Sequence, residues 1–337
     1  MTAPAASPAK GALFALLAFA SFSAHDAVVK LLGGSYAPVQ VVFFTVFFGF
    51  PIMTIALLRD RTDANLIPRH PWWTALRTGS AVLTGLCVFY AFSVLPLAEV
   101  YAILFMMPLL ITLLAVPVLG ERVGWRRGIA VLVGLGGVFI VLDPAGSALG
   151  LGHAAALSAA VFGSVASIVV RKIGAEERSV VLMLYPMVAN AVLMGALLPF
   201  VYEPMPIEHL GAFLATACLG LLGAVLVIQA YRRAPAVIVA PMQYSQIIWA
   251  VLIGAVFFGE TVENNVLYGA AIVIASGIYI VLREATLGVS IMSPILRAFH
   301  LRPDTGQQPR IGVMVGMTPD QTPAPRENGL EKQGGGV

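Results

Sequence analysis

The sequence predicts an all-α integral membrane protein of ten transmembrane helices, arranged as two inverted five-helix repeats. Three observations carry this expectation. Hydrophobic residues make up 59% of the 337-residue chain and charged residues 11%, with a mean hydropathy of +0.89, a composition from which no soluble surface can be built. Apolar stretches recur at about the 20-residue length that a helix needs to cross a hydrocarbon core of about 30 Å. The loops between them alternate in charge, and the second half of the chain repeats the first.

In order, the spans are read over 11–32, 38–58, 72–94, 97–119, 125–142, 150–170, 179–200, 210–230, 235–258 and 264–282, separated by short Gly, Pro or charged segments. The first is too long for a secretory leader, is interrupted by His25 and Asp26, and lacks a small-residue cleavage site. Trp72, Trp73 and Trp125 open the third and fifth spans, where indoles anchor a helix at the membrane interface. Cys87 and Cys218 both fall inside spans and read as packing residues. The tail from 283 to 337 is rich in Pro, Gly, Gln and charge and reads as largely disordered, while residues 1–10 form a short N-terminal segment.

Arginine and lysine collect on the cytoplasmic side of membrane proteins. Loops after the even-numbered spans carry twelve of them: Arg59, Arg61, Arg69, Arg77, Arg122, Arg126, Arg127, Arg171, Lys172, Arg178, Arg232 and Arg233. The loops after odd-numbered spans carry Lys30 and the acidic Asp143, Glu203, Glu208 and Glu263. Both termini are therefore expected in the cytoplasm of a cell whose inner (plasma) membrane holds the protein. The basic balance, +3 overall, reflects this orientation and not nucleic-acid binding.

A shift of 141 positions lays span 1 on span 6, matching Gly11 with Gly152, Ala15 with Ala156, Ser23 with Ser164, Val28 with Val169 and Gly33 with Gly174. A second block repeats at a shift of 139: Ala91 meets Ala230, Pro96 meets Pro235, and Gly120-Glu121 meets Gly259-Glu260. The 141 shift then returns at Gly128 with Gly269 and Gly136 with Gly277. Five is odd, so the second copy, 150–282, enters the membrane from the side opposite to the first, 11–142. Two similar halves of opposite orientation can exchange conformations and open a central site to one side and then the other.

An ionisable group inside a bilayer costs about 2.5–3.5 kcal/mol at a helix centre, which makes each one a functional candidate. His25 and Asp26 lie in the outer half of span 1, Lys30 follows one turn later on the Asp26 face, and Glu99 opens span 4 at similar depth. They form a candidate substrate or proton site. The competing reading is a structural Asp26–Lys30 ion pair with a solvated Glu99. Span 9 is the most polar, with Gln243, Tyr244, Ser245, Gln246 and Trp249 near its middle; Gln243, Gln246 and Trp249 recur every three residues and so share a broad helical face. Their amides need partners, either a solute in a cavity or neighbouring helices. Tyr90 and Tyr101 complete the candidates, with Asn190 behind them. Gly120-Glu121 and Gly259-Glu260 read as helix ends.

Enzymes fit poorly. No nucleophile motif surrounds the serines, Asp26 is the one aspartate well inside a span, and His25, His70, His153, His209 and His300 lack ligand spacing. No catalytic residue, metal or cofactor is expected. Gly134-Leu135-Gly136-Gly137 has neither the strand nor the lysine of a nucleotide loop.

At Tyr90-Ala91-Phe92, Leu95-Pro96-Leu97-Ala98-Glu99, Pro108-Leu109, Leu119-Gly120-Glu121-Arg122, Gly128 and Gly136-Gly137, echoed by Ala230-Tyr231, Ala234-Pro235, Phe258-Gly259-Glu260, Gly269 and Gly277, the chain resembles the drug/metabolite transporter superfamily, in its ten-helix EamA-type form. The likeness covers about 11–282. It departs where Ile247 replaces the proline seen at Pro108, and where Ala166-Ser167 stand opposite His25-Asp26. The resemblance implies a central cavity ringed by spans 1–4 and 6–9, with spans 5 and 10 peripheral. It further implies a secondary transporter of a small organic metabolite, with export of an amino acid, a derivative or an organic cation as the first expectation. Uptake of a cofactor-like metabolite of the S-adenosylmethionine or riboflavin type, and a non-transporting scaffold or receptor, are the alternatives. The expected partners are the small-molecule substrate, the lipid bilayer and, as an open option, a second copy in a homodimer.

Overall fold

The computed structural model describes residues 8–59, 66–121, 124–144, 149–174 and 176–286. The expected disordered tail starts at 283, but residues 283–286 continue the last helix; the tail from 287 on, the first seven residues, Arg61 and Arg122 lie outside the described residues. The described chain is helical throughout: α1 (Pro8–Gly33), α2 (Pro38–Arg59), α3 (Pro71–Val94), α4 (Leu97–Leu104), α5 (Met107–Leu119), α6 (Trp125–Leu142), α7 (Leu151–Ile173), α8 (Ser179–Val201), α9 (Ile207–Tyr231), α10 (Ala236–Val239), a 3-10 turn at Ala240–Tyr244, α11 (Ser245–Phe258) and α12 (Asn264–Thr286). Among the described residues nine runs are long and apolar enough to cross a membrane, and α2, apolar over Pro38–Pro51, supplies the tenth span.

Spans 4 and 9 are not the continuous helices expected from sequence. Pro108 sits at the start of α5, where it has no N–H to offer the preceding turn and its ring crowds the carbonyl four residues back. The chain therefore tightens at Phe105-Met106, with the Met106 amide bonding Ile103 O at 3.1 Å before α5 begins. In the second copy Pro241, six residues before the position equivalent to Pro108, has the same effect, and a 3-10 turn over Ala240–Tyr244 separates α10 from α11. The two breaks fall at corresponding places in the repeats, and they meet: the rings of Phe105 and Tyr244, matched by the 139 shift, pack edge to face with centroids 5.0 Å apart.

The halves interlock through equivalent contacts. α1 packs along α9, and its counterpart α7 packs along α3. Small residues permit the approach at each: a Cβ on Gly11 would lie 2.3 Å from the Ala234 Cβ, and one on Gly152 would lie 2.8 Å from the Leu95 Cγ, positions related by the same shifts of 141 and 139. α6 and α12 pair separately, with Gly137 and Gly269 bringing backbones together. Phe200, Phe257 and Phe139 turn outward as an apolar surface suited to lipid.

Two details depart from expectation. Arg77, counted with the loop before span 3, is nearly two turns inside α3, 2% exposed, and its guanidinium donates to the Leu182 carbonyl of α8. Cys218 is exposed on α9 instead of packed, while Cys87 is partly buried.

Candidate functional site

Asp26 is placed about 10 Å below the end of α1, counting 1.5 Å per residue from Gly33. It is 3% exposed. One carboxylate oxygen faces His25 Nδ1 at 2.8 Å, and the other accepts the Tyr101 hydroxyl from α4. His25 in turn meets Phe89 edge-on, and Tyr101 is held between Phe92 and Phe105. The chain of contacts thus runs from the buried carboxylate through Tyr101 to Phe105 at one helix break, and through Phe105 to Tyr244 at the other.

Span 9 reaches the same place from the opposite side. Ser23, three residues before Asp26 on the same face of α1, donates to the Gln246 carbonyl at 3.5 Å. Gln243, Tyr244 and Gln246 are 2%, 4% and 3% exposed. Gln243 Oε1, Tyr244 Oη, Ser245 Oγ, Gln246 Nε2 and Trp249 Nε1 are buried without a hydrogen-bond partner. Because the 3-10 turn ends at Tyr244, Gln243 does not share one α-helical face with Gln246 and Trp249, as their spacing suggested. Five polar groups left unbonded at membrane depth, each costing about 1–3 kcal/mol, are tolerable where another molecule can bond them.

Lys30 and Glu99 belong to other pairings. Lys30 Nζ lies 2.8 Å from Glu260 Oε1 and donates to the Leu95 carbonyl at 2.5 Å, so the local Asp26–Lys30 pair expected as an alternative does not form. Glu99 meets His153 Nε2 at 2.6 Å, while His153 Nδ1 accepts the Gly150 amide, so the ring carries its proton toward the carboxylate. Tyr90 is half-buried on α3, where its carbonyl accepts Ser93 Oγ.

Both membrane faces carry contacts between repeats. On the face poor in arginine, Tyr36 Oη and His209 Nδ1 are 2.5 Å apart, and Gln40 exchanges two hydrogen bonds with the backbone of Glu203. Burial of the phenol, followed by the nearby Glu203 carboxylate, pushes the Tyr36 pKa above the usual tyrosine value. On the arginine-rich face, Arg171 pairs with Glu121, and His70 meets Glu176 through its ring at 2.7 Å and Glu177 through its backbone at 3.0 Å. Sequence reading passed over His153, Arg171 and Glu260 as site members. Matching basic residues at 30 and 171, under the 141 shift, were the available signal.

Residues 9–143 and 150–283 each match the EamA-like transporter family. The chain is 28% identical over 271 residues to a pseudopaline exporter of Pseudomonas aeruginosa, covering 79% of this chain and 94% of that one. It is 26% identical over 270 residues to an S-adenosylmethionine uptake transporter of Rickettsia bellii (80% and 92% covered) and 27% identical over 277 residues to a riboflavin transporter of Rhizobium johnstonii (81% and 91% covered). The fold is shared with a crystal structure at 22% identity, with a TM-score of 0.56 over 84% of this chain and all of the other. A doubled match of this extent, on two interlocked repeats with equivalent helix breaks, makes this chain a member of the EamA-like transporter family, within the drug/metabolite transporter superfamily.

Proposed function

We propose that the protein is a secondary transporter of the cell inner membrane that exports a small organic metabolite, an amino acid, a derivative or an organic cation, by alternating access. The arginine-rich face is the cytoplasmic one, and both termini lie there. Substrate binds where the two helix breaks meet, between Asp26, His25 and Tyr101 on one side and Gln243, Gln246 and Trp249 on the other. Lys30, Glu99 and Tyr90 line the approach from outside. The observation that carries this reading is a carboxylate 3% exposed on a membrane-spanning helix whose Ser23 bonds the backbone of a broken span carrying unpartnered amide and indole groups. A carboxylate attracts an ammonium group, and the free amide and indole N–H donors suit an acceptor such as a carboxylate.

The test is a thermal-shift screen of purified protein against amino acids, organic cations, nucleosides and vitamins. A ligand at about a hundred times its Kd stabilises the folded state by about 2.7 kcal/mol. A selective hit among amino acids or organic cations that Asp26→Asn abolishes is the expected result. A hit that survives Asp26→Asn sinks the assignment of the site. The name of one relative, an S-adenosylmethionine uptake transporter, favours a second reading, uptake of a cofactor-like metabolite, and the name of a riboflavin transporter points to the same substrate type without a direction. Solute flux in right-side-out against inside-out vesicles separates the two directions.

A further inference from the structure

We propose that the ion pairs Lys30–Glu260 and Arg171–Glu121 are the two gate locks of the transport cycle, one on each membrane face. Each must part for its face to admit or release substrate. The inference rests on the alternating-access reading above but not on the identity of the substrate.

Each pair joins one repeat to the other. Lys30 on α1 reaches across to Glu260 after α11, and Arg171 on α7 reaches across to Glu121 after α5. The shifts that align the repeats carry Lys30 onto Arg171 and Glu121 onto Glu260, so these are one interaction built twice with opposite orientation. The local scaffolding is also duplicated. Gly120 and Gly259 close their helices in the left-handed conformation, with φ of 72° and 63°. The amide of the following glutamate then bonds a carbonyl six residues back, Glu121 to Ala115 O and Glu260 to Gly254 O, which fixes each acid against its own helix end.

Both pairs cross the interface between repeats, the seam along which two inverted halves must part. On the arginine-poor face Glu260 Oε2 also accepts the Leu97 amide at the start of α4, at 3.0 Å, while Lys30 holds the Leu95 carbonyl. That lock therefore ties α1, span 9 and the α3–α4 corner together. On the other face Lys172 donates to the Val118 carbonyl at 2.8 Å beside the Arg171 pair. Sheltered charges attract strongly in a low-dielectric setting, and water entering an opened face rehydrates both partners. A lock of this kind is stable when closed and not prohibitive to open. With both pairs formed and the polar centre buried, the structure corresponds to an occluded state between the two openings.

The locks differ in one respect. Glu260 folds back over Gly254, where a Cβ would lie 2.5 Å from its carboxylate oxygen. The position equivalent to Gly254 in the first repeat is Ala115, whose methyl occupies that space. Accordingly the Glu260 side chain is 13% exposed and that of Glu121 is 30% exposed. The acid is thus the more exposed partner on the arginine-rich face, while Arg171 itself is 4% exposed against 13% for Lys30.

Hydrogen–deuterium exchange of the full chain in nanodiscs tests the assignment without any substrate. Glu260→Gln keeps an acceptor for the Leu97 amide and removes the charge. It is expected to raise uptake about fivefold, the effect of losing about 1 kcal/mol, in peptides spanning 27–35 and 254–262, with 115–121 and 168–174 unchanged. Glu121→Gln should give the mirror image, and Lys30→Met should reproduce Glu260→Gln. Uptake rising at both faces alike in either variant, or at neither face in both, overturns the proposal. If the mirror pattern holds while no solute is found, the substrate reading fails alone. If it is absent while Asp26-dependent flux persists, the locks fail alone.

Discussion

Gly277→Ala probes the meeting of the helix breaks most directly. A Cβ at position 277 would lie 1.8 Å from the Tyr244 hydroxyl oxygen and 2.8 Å from the ring carbon that bears it. To reach ordinary contact at 3.4 Å the hydroxyl must retreat by about 1.6 Å. Tyr244 has little room to do so, because Phe105 stands edge-on to its ring with centroids 5.0 Å apart and only 4% of the residue is exposed. Overpacking of this kind costs about 1–3 kcal/mol. Tyr244→Phe should cost little by itself, since the hydroxyl is buried without a hydrogen-bond partner. In the double variant the nearest clash becomes the ring carbon, and the retreat required falls to about 0.6 Å. Tyr244→Phe should therefore recover about 1 kcal/mol or more of the Gly277→Ala loss. Melting of the four proteins in one detergent reads this as differences of a few degrees, about 2–4 °C per kcal/mol. If Gly277→Ala melts with the parent, or if the two changes are additive, Tyr244 is not seated against α12 in the way described.

Three further outcomes are expected. Pro108→Ala restores an amide able to bond the preceding turn, so it should join α4 to α5, raise the melting temperature and slow solute flux; unchanged flux in a more helical, more stable variant would count against a working role for the break. Gly11→Ala and Gly152→Ala strain equivalent seams, each within about 1–3 kcal/mol, with Gly11→Ala the costlier because it meets the Ala234 backbone as well as its methyl, whereas Gly152→Ala meets side chains of Val94 and Leu95 that can turn; equal melting temperatures would contradict this. His153→Ala leaves the sheltered Glu99 carboxylate without its partner and should lower stability by about 1–3 kcal/mol, while Glu99→Gln, which can still bond the ring, should lose less.

The spans were legible because bilayer thickness sets their length and the absence of water sets their composition. The stretch read over 97–119 is the run Leu97–Leu119, and the last, begun at 264, is α12 from Asn264. The breaks inside spans 4 and 9 were not legible in the same way. Hydropathy records which side chains tolerate lipid and is blind to which amide bonds which carbonyl. Nor does the repeat mark them: the counterpart of Pro108 in the second copy is Ile247, and the break there comes from Pro241 at a different register. Counting basic residues by loop also misplaced Arg77, because a guanidinium can be buried in a span if a carbonyl such as that of Leu182 is in reach.

For the site, the residue types were informative and the partners were not. Asp26 and Tyr101 were both singled out, yet nothing in the spacing of positions 75 apart says that the hydroxyl reaches the carboxylate. Lys30 shows the difficulty more sharply. One turn from Asp26 on the same face, it had an obvious local partner, and the structure gives it Glu260 instead, 230 positions away. The reason is geometric. A lysine near the end of α1 extends toward the membrane surface, where Glu260 is held by its glycine cap, while Asp26 is already engaged below by His25 and Tyr101. Only the repeat carried that pairing in advance: a basic residue at 30 and again at 171, and Gly-Glu at 120–121 and again at 259–260. The four charged residues among them occupy helix ends at opposite faces, so each face keeps its own copy of one interaction. The repeat supplies the two copies, and a mechanism that opens the faces in turn, as proposed above, would use both.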